Sequence, residues 1–571
     1  MKSLLLTSLV LSPLLVKGQT PCVLTPEVDQ FIEGILSRWG SPGGVGVAVV
    51  RLDANGEWNV ETKGYGAARL DDNSNVTDET LFSIGSNSKL ADPIATNKSS
   101  IKDLMSHRTG MARHEFNYRK EDTLPSLLER LKFLKPSTEF RETFQYNNLM
   151  YGTLGYLPEV LSTQMPLARY VKKNVFDPLG MNSTTYSFDV ANATGRLPPG
   201  FARENFSLAG GLPGTGVPRQ LPYWYDKGGE DGSFMAAAGG VISNARDMAT
   251  WLQTLLLWGK NPATNETVIP SEVLEMVATG ITIDGTAIPW QGEAQALLSP
   301  AVYGGGQSIS AYRGHRIIEH GGDTTGEEIL ASFGLFIDTL RQRIGAHSRI
   351  VRLPFDNIGI AVLTNDEDTG VAFDLVIQYR LMDEALGLEP FDWETPASEL
   401  LTSIFGSIPT ARPDNASEPS LPGGLASIEG TYNHPGYGNW SFCSFEPGKQ
   451  PSEACKDFAA NLSTTIPGGV DPEIPTLVAP VTSVWFDYVR LQHFDGNVFN
   501  VTFLNSYPTL NDADQPFWTF FQRVPFLVEV GSSGDTVGLG FSGGFWGAGA
   551  GVPEPQGTTL EERSEVWFEK V

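Results

Sequence analysis

Strand-like text stands at both ends of a long stretch of this chain, with mostly helical text between. No other feature constrains the fold as strongly. Gly43 to Leu52 and Trp58 to Leu70 read as two strands about the turn at Ala54-Asn55-Gly56. Gly314 to His320 and Asn357 to Leu363 are strand-like again. A helix is predicted after Thr25-Pro26-Glu27, where Thr25 caps, Pro26 suits the first turn and Phe31, Ile32, Ile35 and Leu36 share one face. Leu124 to Leu134, Leu149 to Leu161, Ala245 to Trp258 and Val371 to Leu386 also read as helices. The prediction is therefore an α/β domain, its one sheet built from sequence-distant pieces.

A Pro-, Ser- and Gly-rich stretch from Ser407 to Gly424 reads as a linker. Beyond it come short β-rich segments, Val484 to Leu491, Val498 to Leu504, Phe517 to Val530 and Val566 to Val571, which predict a small all-β barrel or sandwich. The expected division is a leader at 1–18, a main domain at 19–395, a linker at 396–424 and a β-rich domain at 425–571.

Lys2, the apolar run Leu4 to Leu15 and Val16-Lys17-Gly18 form a signal-peptide pattern too short to span a bilayer. Ten Asn-x-Ser/Thr sequons suit the same secretory route, at Asn75, Asn97, Asn182, Asn192, Asn205, Asn265, Asn415, Asn439, Asn461 and Asn500. A secreted, extracellular glycoprotein with N-linked glycans and no membrane span is expected. The net charge of −26 argues against nucleic acid and anionic membranes as partners. Of three cysteines, Cys443 and Cys455 are close enough in sequence to bridge in an oxidising compartment, which leaves Cys22 over.

Chemistry concentrates in Ser86-x-x-Lys89, Tyr146-x-Asn148 and His320-Gly321-Gly322. A serine hydroxyl is a weak nucleophile until a base takes its proton, and a spacing of three on a helix puts the Lys89 amine on the face of Ser86. A helix N-terminus also offers N–H groups to a developing oxyanion. Ser99-Ser100-Ile101-Lys102 has the same spacing but not the same surroundings. Gly540-Phe541-Ser542-Gly543-Gly544 matches the nucleophile elbow, yet no histidine follows Ser542, as that fold requires. No histidine spacing suggests a metal, and no cofactor is implied.

The surroundings of these motifs resemble the penicillin-recognising serine hydrolases: class C-like β-lactamases, DD-peptidases and their esterase relatives. Phe82-Ser83-Ile84-Gly85 resembles that family's approach to its nucleophile, and Ile101 to Gly110 a later structural segment. Leu149 to Tyr156, Met235 to Leu255 and Ile358 to Asn365 are similar to further landmarks. The likeness runs from about Leu24 to Leu386, and the C-terminal region resembles a β-rich appendage of some members. It implies an antiparallel sheet flanked by helices, with Ser86 as nucleophile and Lys89 and Tyr146 moving its proton. Asn148, His320 and Gly322 would bind substrate, and the N–H groups of Ser86 and Asp323 would hold the oxyanion. Gly322 would let a substrate backbone lie against its strand, while His320 takes the place of lysine in Lys-Thr-Gly members.

Two stretches depart from the family. Lys89-Leu90 runs directly into Ala91-Asp92-Pro93, so the nucleophile helix is predicted to be barely two turns long, and a core helix is missing. Glu327 to Ala346 is an insertion, read as a helical lid or a retained intron. Both departures are read as gene-model errors, which a transcript encoding this chain as written would refute. The function expected is a secreted serine hydrolase acting on a small-molecule or peptide ester or amide through an acyl-enzyme on Ser86. The alternative is a catalytically silent family member that serves as a secreted binding protein.

Overall fold

A computed structural model describes residues 22–571 except 54, 92–99, 209, 224, 285–289, 291, 324–345, 407–411, 421–423, 508–514, 522–525, 534–535 and 550. The expected signal peptide, Ser99, and all of the insertion but Ala346 lie outside the described residues.

Sequence-distant strands do meet in one antiparallel sheet. Its strands are β1 (Gly44–Leu52), β2 (Trp58–Gly66), β3 (Thr282–Ile283), β4 (Val302–Tyr303), β5 (Ser308–Tyr312), β6 (His315–Asp323), β7 (His347–Leu353) and β8 (Ile358–Thr364), in the order β2-β1-β8-β7-β6-β5-β4-β3. The early hairpin pairs with the last strand, Val45 opposite Thr364 and Arg51 opposite Ile358.

Period-two alternation explains why helices cover both faces. Val45, Val47 and Val49 pack with Trp39 and Phe373, from helices α1 (Pro26–Trp39) and α4 (Gly370–Leu386). Ala48 and Val50 turn the other way, onto Met248 and Leu252 of α3 (Ala245–Leu256). Thr25 caps α1 as expected, accepting from Val28 N at 3.3 Å, and Gly40 closes it at φ 63°. Asn148–Pro158 forms α2, after which the chain continues as a π-helix over Glu159–Thr163.

The C-terminal region is a closed barrel, which decides between the two all-β forms expected. Strands β9 (Gly430–His434), β10 (Gly438–Phe445), β11 (Thr476–Pro480), β12 (Tyr488–Asp495), β13 (Val498–Tyr507), β15 (Phe526–Ser533), β16 (Thr536–Ser542) and β17 (Val566–Lys570) run β12-β11-β10-β9-β17-β16-β15-β13. Pairing of β13 with β12 shuts the ring, and β14 (Phe517–Phe520) hangs on the far half of β13. Closure removes the sheet edges that a sandwich would leave open.

Several expectations need correction. Residues 396–406, assigned to the linker, lie in a helix over Glu394–Gly406. Of the rest, Ser417 and Ser420 are held on the β12–β13 turn by Asp495 and Asn497. The β-rich segment at Phe517 to Val530 holds two strands, and Val484 to Asp487 precede their strand rather than open it. Among the described residues no helix is long and apolar enough to cross a membrane.

Candidate active site

Residues Gly85–Ala91 form the short helix expected, of 3₁₀ type. Three residues per turn eclipse positions i and i+3, so Lys89 stands directly over Ser86. Lys89 Nζ donates to Ser86 Oγ at 2.6 Å and to the Ala238 carbonyl at 2.7 Å. Tyr146 OH lies 2.7 Å from Ser86 Oγ on another side. All three side chains are buried, Lys89 completely. Ser88 ties the helix down, donating to Gly85 O and accepting from Val241 N.

Tyr146 and Asn148 stand at the head of α2 because Asn147 caps it, its Oδ1 accepting from Leu149 N at 2.8 Å. Behind them His107 packs against Tyr146, with ring centroids 4.3 Å apart and planes 39° apart, and its Nδ1 accepts from Asn147 N at 3.1 Å. Burial, then the nearby Lys89 ammonium, hold His107 well below its ordinary range, so it is neutral. Two cations flank the Tyr146 ring: Lys89 Nζ lies 4.8 Å and Arg113 Cζ 4.9 Å from its centroid. Asn148 Nδ2 donates to Glu115 Oε1 at 2.5 Å.

Strand β6 brings the third motif alongside. The Asn87 amide bridges to it, its nitrogen donating to His320 O at 2.9 Å and its oxygen accepting from Gly322 N at 3.2 Å. Glycine at 322 also has a reason within the fold. A Cβ there would run into Ile84 O, Ser348 Oγ and the Asn87 amide, so the requirement is close packing of β6 on the nucleophile segment. His320 is buried; its Nδ1 lies 2.8 Å from Gly321 O and its Nε2 2.7 Å from Tyr303 OH. Burial, with Lys89 and Arg349 nearby, holds this imidazole too well below its ordinary range. Asp323 ends β6, and Ser86 lies in the first turn of its helix, where an N–H has no intrahelical acceptor.

The barrel reaches this site through residues 112–118. Arg113 N and His114 N donate to Gly547 O and Trp546 O, and Trp485 Nε1 donates to Glu115 O at 3.2 Å. Phe116 enters the barrel's aromatic core, 4.7 Å from Phe503 and 5.3 Å from Phe545 between ring centroids. Glu565 fixes the turn that clasps Arg113 and His114, accepting from Gly544 N at 2.9 Å and Trp546 N at 3.1 Å. Burial pushes its carboxyl up to about 7.

Sequence reasoning missed Glu115, Arg113, Tyr303, the Ala238 carbonyl and Asn87. Arg113-His114-Glu115 was readable only as a cluster of charge after a family landmark, and Tyr303 only as an aromatic before Gly304-Gly305-Gly306. Cys443 and Cys455 form a disulfide, with Cα atoms 5.7 Å apart, and Cys22 is an exposed thiol. Ser542 ends β16 before a glycine turn, with no elbow.

Comparisons with known proteins find named hydrolases among its relatives. A hydrolase of Aspergillus campestris named unguisins hydrolase ungD' is 28% identical over 468 residues, covering 72% of this chain and 77% of its own. Unguisins hydrolase ungD of Aspergillus violaceofuscus is 25% identical, with 73% and 76% covered. A solved penicillin-binding protein homologue from Pyrococcus abyssi covers 90% of this chain and 98% of its own at 17% identity and a TM-score of 0.48. A class C β-lactamase from Rhodobacter sphaeroides covers 64% and 99% at 20% identity and a TM-score of 0.42. None of these likenesses supports reading the chain as a silent binding protein. Residues 90–381 match the Beta-lactamase family, a match that covers just over half the chain and opens one residue past Lys89. This chain therefore belongs to the Beta-lactamase family and is a serine hydrolase.

Proposed function

We propose that the chain is a secreted hydrolase that cleaves an ester or amide through an acyl-enzyme on Ser86. The observation that carries this reading is Ser86 Oγ held between Lys89 Nζ and Tyr146 OH, at 2.6 and 2.7 Å, in a buried site. The hydroxyl proton passes to the Tyr146–Lys89 pair, accepted by Tyr146 as a phenolate that the Lys89 ammonium stabilises, as Oγ bonds to the substrate carbonyl carbon. The N–H groups of Ser86 and Asp323 receive the oxyanion. On collapse the bond to the leaving group breaks, and the same pair returns the proton to that group. A water then repeats the sequence and releases the acid. Asn148 orients the substrate.

The names of the two Aspergillus relatives support unguisins as the first substrates to try. Exposure of the sequons supports export with glycans: Asn75, Asn182, Asn192, Asn205, Asn265, Asn415, Asn439 and Asn461 are exposed, and Asn500 is half-buried. A fluorophosphonate probe on purified protein tests the nucleophile. Labelling of Ser86, lost in Ser86→Ala, is the expected result. An unlabelled wild-type protein, or equal labelling of the variant, overturns the reading.

A further inference from the structure

Tyr146 lies between two cations held by different parts of the molecule. Lys89 Nζ, 4.8 Å from the ring centroid, comes from the nucleophile helix, and Arg113 Cζ, at 4.9 Å, from the segment that the barrel clasps. Arg113 is 8% exposed, and its stem lies on the barrel turn at 544–549. A Cβ on Gly547 would stand 2.8 Å from Arg113 Cβ and 3.0 Å from its Cδ, so a glycine at φ 67° leaves room for that stem. The same turn reaches the residue before Tyr146, Gly549 N donating to Gln145 Oε1 at 2.8 Å. From the other side His107 O accepts from Gln145 N at 2.6 Å, and His107 Nδ1 from Asn147 N at 3.1 Å. Guanidinium and phenol therefore face each other because the barrel turn holds the stem of one and the neighbour of the other.

Taking the Ser86 proton requires Tyr146 to carry negative charge beforehand. An opposite charge within about 4–6 Å shifts an ionisation by about 1–3 pH units toward the charged form. Besides the two cations, the ring faces Ser86 from the nucleophile helix, His107 behind it, and Tyr303 from the sheet, with His320 beyond Tyr303. Burial, with Lys89 nearby, holds both imidazoles well below their ordinary range, so neither adds charge. Glu115 brings a carboxylate: it pairs with Arg113 at 3.2 Å and weakens the pull of the guanidinium on the phenol. Lys89 and Arg113 thus favour the phenolate, and Glu115 tempers them.

We propose that Arg113 is a positioning residue of the reaction, a second cation that stabilises the Tyr146 phenolate and is set in place by the barrel turn at 544–549. The barrel then takes part in proton transfer, through Gly547 against the Arg113 stem and Gly549 on Gln145. The inference rests on the acyl-enzyme reading for its effect on rate, but not for the ionisation of Tyr146.

Two readouts test it: the pH dependence of kcat/KM for a neutral activated ester, and the tyrosinate difference spectrum of Tyr146 taken against Tyr146→Phe. Removing the cation in Arg113→Met should move both the acid limb and the tyrosinate midpoint up by at least about one pH unit. Arg113→Lys should recover at least half of that shift. Gly547→Ala keeps the charge but displaces the stem and should give a smaller upward shift, whereas Glu115→Gln should move both readouts down. A limb and midpoint within about 0.3 of a unit of wild type in Arg113→Met, with only the plateau lowered, mark a structural role and overturn the inference. So does a Tyr146 that ionises no more readily than the other tyrosines. Should Arg113→Met fail to fold by circular dichroism, Gly547→Ala and Glu115→Gln decide, and anything but opposite shifts overturns it. If wild type neither turns over ester nor takes the probe at Ser86 while the tyrosinate midpoint moves as stated, the acyl-enzyme reading falls and this one stands.

Discussion

Phe116 belongs by sequence to the hydrolase domain and by packing to the barrel, and its removal tests whether the two act as one body. The residue is 8% exposed. Its ring meets Phe503 at 4.7 Å, Phe545 at 5.3 Å, Phe526 at 5.5 Å, Phe486 at 5.8 Å and Phe521 at 6.3 Å. Truncating a buried phenylalanine costs about 3–5 kcal/mol, because transfer and cavity contributions add. Aromatic pairs of this geometry are worth about 0.5–1.5 kcal/mol beyond area. With five such pairs lost, Phe116→Ala belongs at the upper end of that range. At a urea slope of about 3 kcal/mol per molar, the midpoint should fall by more than about 1 M. Phe116→Leu keeps most of the volume and should cost less than half as much. Urea unfolding is followed by tryptophan fluorescence, which reports all twelve tryptophans, Trp485 and Trp546 near Phe116 among them, and by esterase activity. Activity and fluorescence should fail together in the variant, because Glu115 loses its anchored neighbour. A midpoint shift below about 0.3 M, or an unchanged fluorescence transition while activity melts alone, would refute the reasoning.

Gly322→Ala should lower kcat at least about a hundredfold with the fold retained by circular dichroism, since its Cβ would drive Ile84 O and the nucleophile segment out of place; activity within threefold of wild type refutes this. Glu565 is raised to about 7 by burial, so the folded state holds a proton that the unfolded chain releases near pH 4.5. Stability therefore falls as pH rises from about 4.5 to 7, and Glu565→Gln should gain on wild type over that window by up to about 3 kcal/mol in urea melts. For Asp103 burial pushes the carboxyl up, but Arg141, Ser100 and Arg108 outweigh it and hold it well below the usual carboxylate range. Its contribution is present above about pH 4 and lost on acidification, so Asp103→Asn should destabilise at pH 7 and converge with wild type in acid, read by thermal melts.

Ser86 and Lys89 converge as expected because a spacing of three on a helix is local geometry, whereas Tyr146, 60 residues from Ser86, was placed beside them only by resemblance. The helix type at Gly85–Ala91 was not legible, since nothing local distinguishes a 3₁₀ turn from an α-turn. Glu115 was invisible for another reason. Its partner Asn148 is distant in sequence, and its backbone is held by Trp485, from a domain whose strand order no pattern specified. The barrel strands Gly430–His434 and Gly438–Phe445 went unread because their alternation is interrupted by polar and glycine residues. Gly322 was legible as a necessary glycine, but what it accommodates became clear only from the neighbouring strand.

The clasp at residues 112–118 makes this a protein that cannot be pared down. Excising everything after Gly406 would strip Phe116 of its aromatic neighbours, leave the Arg113 and His114 amides without acceptors, and take away the indole beneath Glu115. A catalytic fragment made that way would lack part of its own wall. An engineer seeking a minimal enzyme should keep the barrel and vary its outer surface, where strands face water and the active site does not feel the change.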